Sequence, residues 1–308
     1  MKPLHIHTPL WESAPIKKRT KQTVFLKMEC FQPAGSFKSR GISCLCQEYV
    51  NLGKTHLVSS SGGNAGYAAA YAGRLLGVKV TVFVPRTTQQ LFIDRIKSQG
   101  AEVVIYGNDL DEAAIKAKEF LAEVDGGYVS PYDHSAIWRG NSTIMDEVVY
   151  EMNKPDAVVV AVGGGGLACG MLEGMHRYGW QDVPLYGVET AGAASFAATV
   201  RAGKLVSLPK IDTIATSLGV KMITKKLFEW TKVGEVVPIT VSDADAVNAV
   251  RYFLDDHYVL VEPSCGAALA AVYNQVPELA DKKSILLIVC GGIGINWELL
   301  NQYLKLFE

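Results

Sequence analysis

The chain has 308 residues, of which 49% are hydrophobic and 20% charged, and its formal net charge is -1. This composition predicts a globular protein with a substantial core. The near-neutral charge provides no basic surface for nucleic acid, and no apolar run approaches the roughly 20 residues of a membrane-spanning helix. We therefore expect neither nucleic acid nor a membrane as a partner, and we expect function to reside in a local site.

Short β-branched segments alternate with helical patterns along the chain. The predicted strands are, in chain order, residues 24–27, 56–59, 79–84, 102–106, 157–162, 184–189 and 284–290. The predicted helices are residues 64–76, 88–99, 110–123, 137–152, 242–256 and 265–274. Because the strands are almost wholly apolar and alternate with helices, we predict an α/β fold with parallel sheets covered on both faces.

Three predicted strands run directly into turns rich in glycine and serine, at residues 59–64, 163–166 and 290–294. In open parallel sheets, ligands bind beyond the carboxyl ends of the strands. The three turns therefore predict a binding site at the edge where several strand ends lie together.

Four consecutive glycines, residues 163–166, give the clearest of these signals. Without Cβ atoms the backbone can curl round an anion, and the helix predicted at 167–178 supplies N–H groups and the positive end of its dipole. We interpret the segment as a phosphate-binding loop, and a tight strand–helix turn without a ligand is the alternative. No Lys-Ser/Thr pair follows, so it is not a Walker A loop.

Lys38 follows a turn that Pro33 and Gly35 are expected to form, with Ser36 as a plausible helix N-cap. A position in the first helical turn lowers the pKa of a lysine and favours the neutral, nucleophilic amine. An ordinary surface lysine is the alternative. Two interpretations of Asn64 are also open, because it could cap the following helix or bind a polar ligand atom.

Two strand-end residues complete the candidates. Glu189 could cap the next helix or coordinate a cation. Cys290 ends an apolar strand, where a small buried residue is the usual interpretation. The other five cysteines form no metal-binding framework, and residues 1–9 lack the apolar core of a signal peptide. We therefore expect a cytoplasmic protein.

Five segments together resemble the serine/threonine dehydratases, which are fold-type II pyridoxal-phosphate enzymes. They are residues 31–41, 60–66, 163–167, 261–270 and 289–292. The resemblance runs from about Leu4 to the carboxyl end. It implies two open, twisted, mostly parallel sheets flanked by helices, with residues 1–40 and 137–308 as a large cofactor-binding domain and residues 41–136 as a small one.

The resemblance also implies a role for each site residue. Lys38 would form the Schiff base with pyridoxal phosphate and later remove the α-proton of the substrate. The implied cofactor contacts are Phe37 and Ser217 on the two ring faces, Asn64 at the ring hydroxyl, Cys290 at the ring nitrogen, and Gly163, Gly164, Gly165, Gly166 and Leu167 at the phosphate. Ser61, Gly63, Asn64 and Ala65 would bind the substrate carboxylate, and Glu189 with the carbonyls of Ala193, Leu218 and Val220 would bind a monovalent cation such as K+.

The implied activity is the deamination of L-serine to pyruvate and ammonia, and of L-threonine to 2-oxobutanoate, by a homodimer. A thiol at Cys290 stabilises a protonated ring nitrogen poorly, so the β-hydroxyl should leave with the α-proton or soon after it. Serine racemisation and β-replacement on the same scaffold stay open, because Ser61 could deliver a proton on the face opposite Lys38. A non-catalytic protein that binds a phosphate ligand is the alternative from another class.

Two positions depart from the family pattern, and both lie in the turns that carry the resemblance. Gly62 stands where the family commonly has alanine, and Ile293-Gly294 replaces a common serine-asparagine pair. The sequence ends at Glu308, soon after a helical pattern at residues 297–304. We therefore expect no regulatory amino-acid-binding domain, and a catabolic role.

Overall fold

The computed structural model describes all of residues 1–308. The strands are β1 Leu10–Glu12, β2 Thr23–Lys27, β3 His56–Ser59, β4 Lys79–Val84, β5 Glu102–Ile105, β6 Gly126–Val129, β7 Ala157–Ala161, β8 Leu185–Thr190, β9 Val236–Val241 and β10 Ser284–Ile288. The α-helices are α1 Ala14–Thr20, α2 Lys38–Asn51, α3 Asn64–Leu76, α4 Gln90–Ser98, α5 Leu110–Glu123, α6 Ser135–Glu151, α7 Gly166–Arg177, α8 Ser195–Ala202, α9 Lys225–Trp230, α10 Asp243–His257, α11 Pro263–Tyr273 and α12 Trp297–Leu306. None of these helices has the length and apolar character needed to cross a membrane.

One compact unit contains Met1–Ile6 and Gln32–Asn141. Its sheet has four parallel strands in the order β5-β4-β3-β6. Alternate strand residues face opposite sides, so Leu57 packs into a core with α2 and α3, whereas its neighbour Val58 packs into a core with α5. Helices therefore cover both faces of this sheet.

The second unit contains His7–Phe31 and Ser142–Glu308. Its six strands have the order β1-β2-β10-β7-β8-β9, and only the β1–β2 pair is antiparallel. The central strands β10, β7 and β8 end at the same edge of the sheet because they run in parallel. Helix α11 is buried along its whole length, as expected of a helix that is apolar on every side.

The prediction of two mostly parallel sheets flanked by helices is confirmed. Strands β1, β6 and β9 were not predicted. Strand β6 begins with Gly126 and Gly127, and β9 contains Pro238, so neither has a typical strand composition. Pro238 is tolerated because β9 lies at a sheet edge. The compact unit with the four-stranded sheet also includes residues 1–6, 32–40 and 137–141, which the domain prediction assigned to the large domain.

Candidate active site

Lys38 is the first residue of α2, and its amine is held by a backbone carbonyl. Its Nζ donates a hydrogen bond of 2.5 Å to the carbonyl oxygen of Pro131 and lies 5.1 Å from the ring centroid of Phe37. The prediction that Ser36 caps this helix is wrong. Phe37 is the N-cap and already has helical dihedral angles, and the Ser36 hydroxyl is buried without a hydrogen-bond partner. An N-cap side chain bonds the helix only from an extended backbone.

The Lys38 amine and the loop after β3, residues 60–64, lie at the same edge of the four-stranded sheet. Strands β3 and β6 are parallel neighbours, with Ser59 opposite Val129. The loop and Pro131 therefore follow adjacent strand ends, and Pro131 accepts the hydrogen bond from Lys38. The structure thus brings the predicted nucleophile and the predicted substrate loop to one place.

The loop after β3 leads directly into α3. Asn64 is the first residue of this helix and Gly63 is its N-cap, so Asn64 does not have the capping role that the sequence left open. Ser61 Oγ accepts a hydrogen bond of 3.4 Å from the Gly63 N–H. First-turn N–H groups, including that of Ala65, have no carbonyl partner within a helix, which makes them suited to a carboxylate.

The glycine segment joins β7 to α7 as a turn, and glycine is required most clearly at Gly165. Gly165 is the N-cap of α7 with φ +92°, and a Cβ there would lie 2.7 Å from Leu227 Cδ2. Gly164 accepts a hydrogen bond of 2.9 Å from the Thr224 N–H. The glycine backbone that leads into α7 is therefore fixed by its neighbours and carries no side chains that would cover it. Leu167, in the first turn of α7, is buried.

Gly163 packs against the short turn that contains Ser217 and Leu218. A Cβ on Gly163 would lie 3.1 Å from the Ser217 carbonyl oxygen and 3.2 Å from Leu218 Cα, both backbone atoms. The structure therefore brings Gly163 and the backbone of Ser217 together. The Ser217 side chain is exposed to solvent.

Cys290 follows β10, the strand next to β7, so its thiol and the glycine turn follow adjacent strand ends. The thiol is 6% exposed. A hydrogen bond with Cys265 raises the pKa of Cys290 well above its usual value, and burial raises it further. All six cysteines are free. Cys290 is therefore a neutral thiol at physiological pH.

Glu262 is a residue of this region whose role the sequence did not reveal. It is 4% exposed, is the N-cap residue of α11, and accepts a hydrogen bond of 3.2 Å from the Gly294 N–H. Its negative charge also raises the pKa of Cys290. The sequence feature that could have pointed to Glu262 is its acidic side chain between Val261 and Pro263, just before an apolar helix.

Glu189 caps a helix, which is one of the two roles that the sequence left open. Its carboxylate accepts hydrogen bonds of 2.7 Å from the Phe196 N–H and 2.9 Å from the Ala197 N–H, in the first turn of α8. Burial raises the pKa of Glu189 to about 7, although these hydrogen bonds act in the opposite direction. Nearby Ser195 has a buried hydroxyl without a hydrogen-bond partner.

Comparisons with known proteins identify the family. Residues 1–291 match the family described as pyridoxal-phosphate dependent enzyme. Human L-serine dehydratase/L-threonine deaminase is 44% identical over 304 residues, which cover 96% of this chain and 93% of that protein.

Two solved structures have closely similar folds. A fungal L-serine ammonia-lyase from Rhizomucor miehei has a TM-score of 0.94 and 38% identity, with 100% of both chains covered. Maize serine racemase has a TM-score of 0.88 and 26% identity, with 98% of this chain and 93% of that chain covered. With a family match over nearly its whole length, the chain belongs to the pyridoxal-phosphate-dependent enzymes of fold-type II.

Proposed function

We propose that this enzyme deaminates L-serine to pyruvate and ammonia, and L-threonine to 2-oxobutanoate. The observation that carries the proposal is the neutral thiol of Cys290 at the end of β10, where an enzyme that needs a protonated cofactor ring would place an acid. The names of the human and fungal relatives support the same reaction.

Lys38 is the proposed attachment point for the cofactor aldehyde and, once released, the base that removes the α-proton. Bound pyridoxal phosphate supplies an electron-withdrawing ring that acidifies this proton. The hydrogen bond from Lys38 Nζ to the Pro131 carbonyl keeps the amine at the sheet edge where the loop after β3 begins. The carbonyl cannot accept a proton, so it orients the amine without competing as a base.

The glycine turn is the proposed phosphate site, formed by the backbone of Gly163, Gly164, Gly165, Gly166 and Leu167. The fit rests on Gly163 and Gly165, because a Cβ on either would meet neighbouring atoms at about 3 Å or less. The start of α7 adds N–H groups and the positive end of the helix dipole.

The loop after β3 is the proposed binding site for the substrate carboxylate, through Ser61, Gly63, Asn64 and Ala65. The Asn64 side chain would also bind the cofactor ring hydroxyl. Phe37 and Ser217 are proposed to contact the two ring faces. A carboxylate gains most from several backbone N–H groups at a helix start, which this loop supplies.

Cys290 is the proposed partner of the ring nitrogen. Because its raised pKa keeps it a neutral thiol, it cannot stabilise a protonated ring nitrogen as a carboxylate would. Negative charge that develops at the substrate Cα is then poorly stabilised. Departure of the β-hydroxyl therefore accompanies or closely follows removal of the α-proton. Elimination is favoured over reactions that need a long-lived carbanion.

A monovalent-cation site is a further part of the proposal, with Glu189 and the carbonyls of Ala193, Leu218 and Val220 as ligands for K+. The raised pKa of Glu189 supports it, because a buried carboxylate without a cation is costly. We also propose a cytoplasmic location, which the six free cysteines support, and a homodimer, which size-exclusion chromatography with light scattering would test.

A coupled assay tests the proposed reaction directly. Purified enzyme is mixed with L-serine, lactate dehydrogenase and NADH, with and without potassium, and D-serine is measured in the same samples. We expect pyruvate at a rate that potassium increases, and no pyruvate with Lys38→Ala. Half-buried Lys54→Ala is the matched control and should form pyruvate as the wild type does. D-serine in excess of pyruvate would instead identify a racemase. The absence of both products would contradict the proposal.

A further inference from the structure

A hydroxyl and a carboxylate attach the segment that follows α8 to the start of α10. Thr213 Oγ1 donates a hydrogen bond of 2.5 Å to Asp243 Oδ1, and the Ile214 N–H donates a hydrogen bond of 2.9 Å to Asp243 Oδ2. Asp243 is the first residue of α10. Both of its carboxylate oxygens therefore hold two consecutive residues of a segment that lies outside the sheet.

The Thr213 hydroxyl has all of its hydrogen-bonding capacity in use. A threonine hydroxyl has one hydrogen and two lone pairs, and the hydrogen is donated to Asp243. The oxygen accepts a hydrogen bond of 3.1 Å from the Ala215 N–H, and it lies 2.9 Å from Thr190 Oγ1, which is then the donor of that pair. Thr190 is the fully buried last residue of β8. The hydroxyl thus ties the segment to the end of a central strand.

A backbone contact holds the same segment one residue earlier. The Asp212 N–H donates a hydrogen bond of 2.9 Å to the Gly192 carbonyl, and a Cβ on Gly192 would overlap the Asp212 carbonyl oxygen. The segment is therefore attached to the chain after β8 by its backbone, and to α10 by side chains that can be substituted.

The turn that follows continues directly from these attachments. The Leu218 N–H donates a hydrogen bond of 2.8 Å to the Ala215 carbonyl, and Thr216–Leu218 forms a single turn of 3₁₀ helix. The backbone of this turn lies against Gly163, where a Cβ would be 3.1 Å from the Ser217 carbonyl oxygen. Because Gly163 has no side chain, a shift of the turn reaches the first residue of the proposed phosphate site directly.

We propose that Thr213 and Asp243 are positioning residues that hold the Thr216–Leu218 turn against the glycine turn and thereby strengthen cofactor binding. The proposal rests on the proposed function, in which residues 163–167 bind the cofactor phosphate and Ser217 contacts its ring. Both residues act through the turn, and neither is assigned a contact with the cofactor. Because the attachment is made of hydrogen bonds, a substitution that keeps the hydroxyl should retain the effect, and one that keeps only its volume should lose it.

Absorbance titration of the apoenzymes with pyridoxal phosphate tests the proposal. We expect Thr213→Val, which keeps the side-chain volume without the hydroxyl, to raise the Kd about fivefold, and Asp243→Ala to raise it about tenfold. Thr213→Ser keeps the hydroxyl and should stay within about twofold of wild type. An unchanged Kd in Thr213→Val, or an equal increase in Thr213→Ser, would overturn the proposal.

Asp245→Ala is the matched control for Asp243→Ala, since both acids lie in the first turn of α10. The Asp245 carboxylate accepts hydrogen bonds from the side chains of Ser242 and Asn274, and not from the segment at Thr213. The control should lower Tm as Asp243→Ala does, but leave the Kd within about twofold of wild type. A Kd that rises equally in both variants would reflect a general loss of stability and would overturn the proposal.

Hydrogen exchange of the cofactor-saturated enzymes, followed by mass spectrometry, supplies a readout that does not depend on turnover. Peptides that cover residues 213–220 should exchange faster in Thr213→Val than in wild type or Thr213→Ser. Equal exchange in all three would contradict the proposal. A wild-type enzyme that forms no pyruvate from L-serine would refute the proposed function, whereas the Kd and the exchange rates would still decide the role of Thr213 and Asp243.

Discussion

The Glu262 carboxyl group occupies the space beside Gly292 that any other residue would fill with its own side chain. A Cβ on Gly292, at φ +129°, would overlap Cδ and Oε2 of Glu262. The same Oε2 accepts the hydrogen bond from the Gly294 N–H. Glu262 thereby ties the turn that follows Cys290 to the start of α11, and its charge helps to keep the Cys290 thiol neutral.

Gly292→Ala should destabilise the protein by about 3 kcal/mol, because it adds backbone strain and displaces the buried Glu262 carboxylate. Urea unfolding measures the change. Gly53→Ala is the matched control, since Gly53 also has a positive φ (+83°) but no atom lies within 4 Å of its Cβ position. The free energy of unfolding of this control should fall by only about 1 to 2 kcal/mol, from the positive φ alone. Equal losses in the two variants would show that the Glu262 contact contributes nothing.

Gly165→Ala should weaken the affinity for pyridoxal phosphate at least about tenfold, because both its φ of +92° and its contact with Leu227 oppose a side chain. Absorbance titration of the apoenzyme with the cofactor measures this Kd. Gly179, which follows the other end of α7 with φ +73° and open space around it, provides the control Gly179→Ala. A phosphate site elsewhere would leave the two variants with the same Kd.

Cys290→Ala should lower kcat for L-serine about tenfold and change the visible absorbance of the cofactor, because one hydrogen-bonding partner of the ring is lost. Cys290→Ser should retain more activity than Cys290→Ala, since a hydroxyl can replace the thiol in a hydrogen bond. Cys46→Ala removes another fully buried thiol and controls for packing loss. Unchanged turnover and an unchanged spectrum in Cys290→Ala would refute the role at the ring nitrogen.

Glu189 should make stability depend on pH in the absence of potassium. Its pKa is raised from 4.5 to about 7 by burial, so the folded protein keeps this proton in a range where the unfolded chain has lost it. The free energy of unfolding contributed by Glu189 therefore falls as pH rises from about 4.5 to about 7. Because Glu189→Gln cannot ionise, the difference in urea stability between wild type and this variant should decline over the same range.

Potassium should reduce that decline, since a bound cation favours the charged carboxylate and lowers its pKa. The comparison uses sodium- and potassium-free buffer with and without added potassium chloride, and lithium chloride as the matched salt. If potassium and lithium act equally, the proposed cation ligands are wrong, and Glu189 serves only as the cap of α8.

The central strands were predictable because burial on both faces demands continuous apolar, β-branched sequence. Strand β7 ends at Ala161, one residue before the predicted end, and β3 has the predicted bounds. Strand β9 escaped because it lies at an edge and contains Pro238. Local patterns thus describe buried strands well and edge strands poorly.

The candidate site was predictable where glycine and strand ends mark it, as at Gly165 and Asn64. It was not predictable where the contact joins distant parts of the chain. Glu262 has no sequence signal that connects it with Gly292. At Ser36 the sequence signal was misleading instead. Serine is a good capping residue, but the N-cap of α2 is Phe37, whose backbone is already helical.

Borohydride reduction of the holoenzyme, followed by peptide mass spectrometry, tests the central claim most directly, because it fixes the cofactor covalently to the amine that carries it. The account predicts the added mass of the reduced cofactor on the peptide that contains Lys38, and on no other lysine. Labelling of a different lysine, or an unlabelled Lys38 in an enzyme with visible cofactor absorbance, would contradict it.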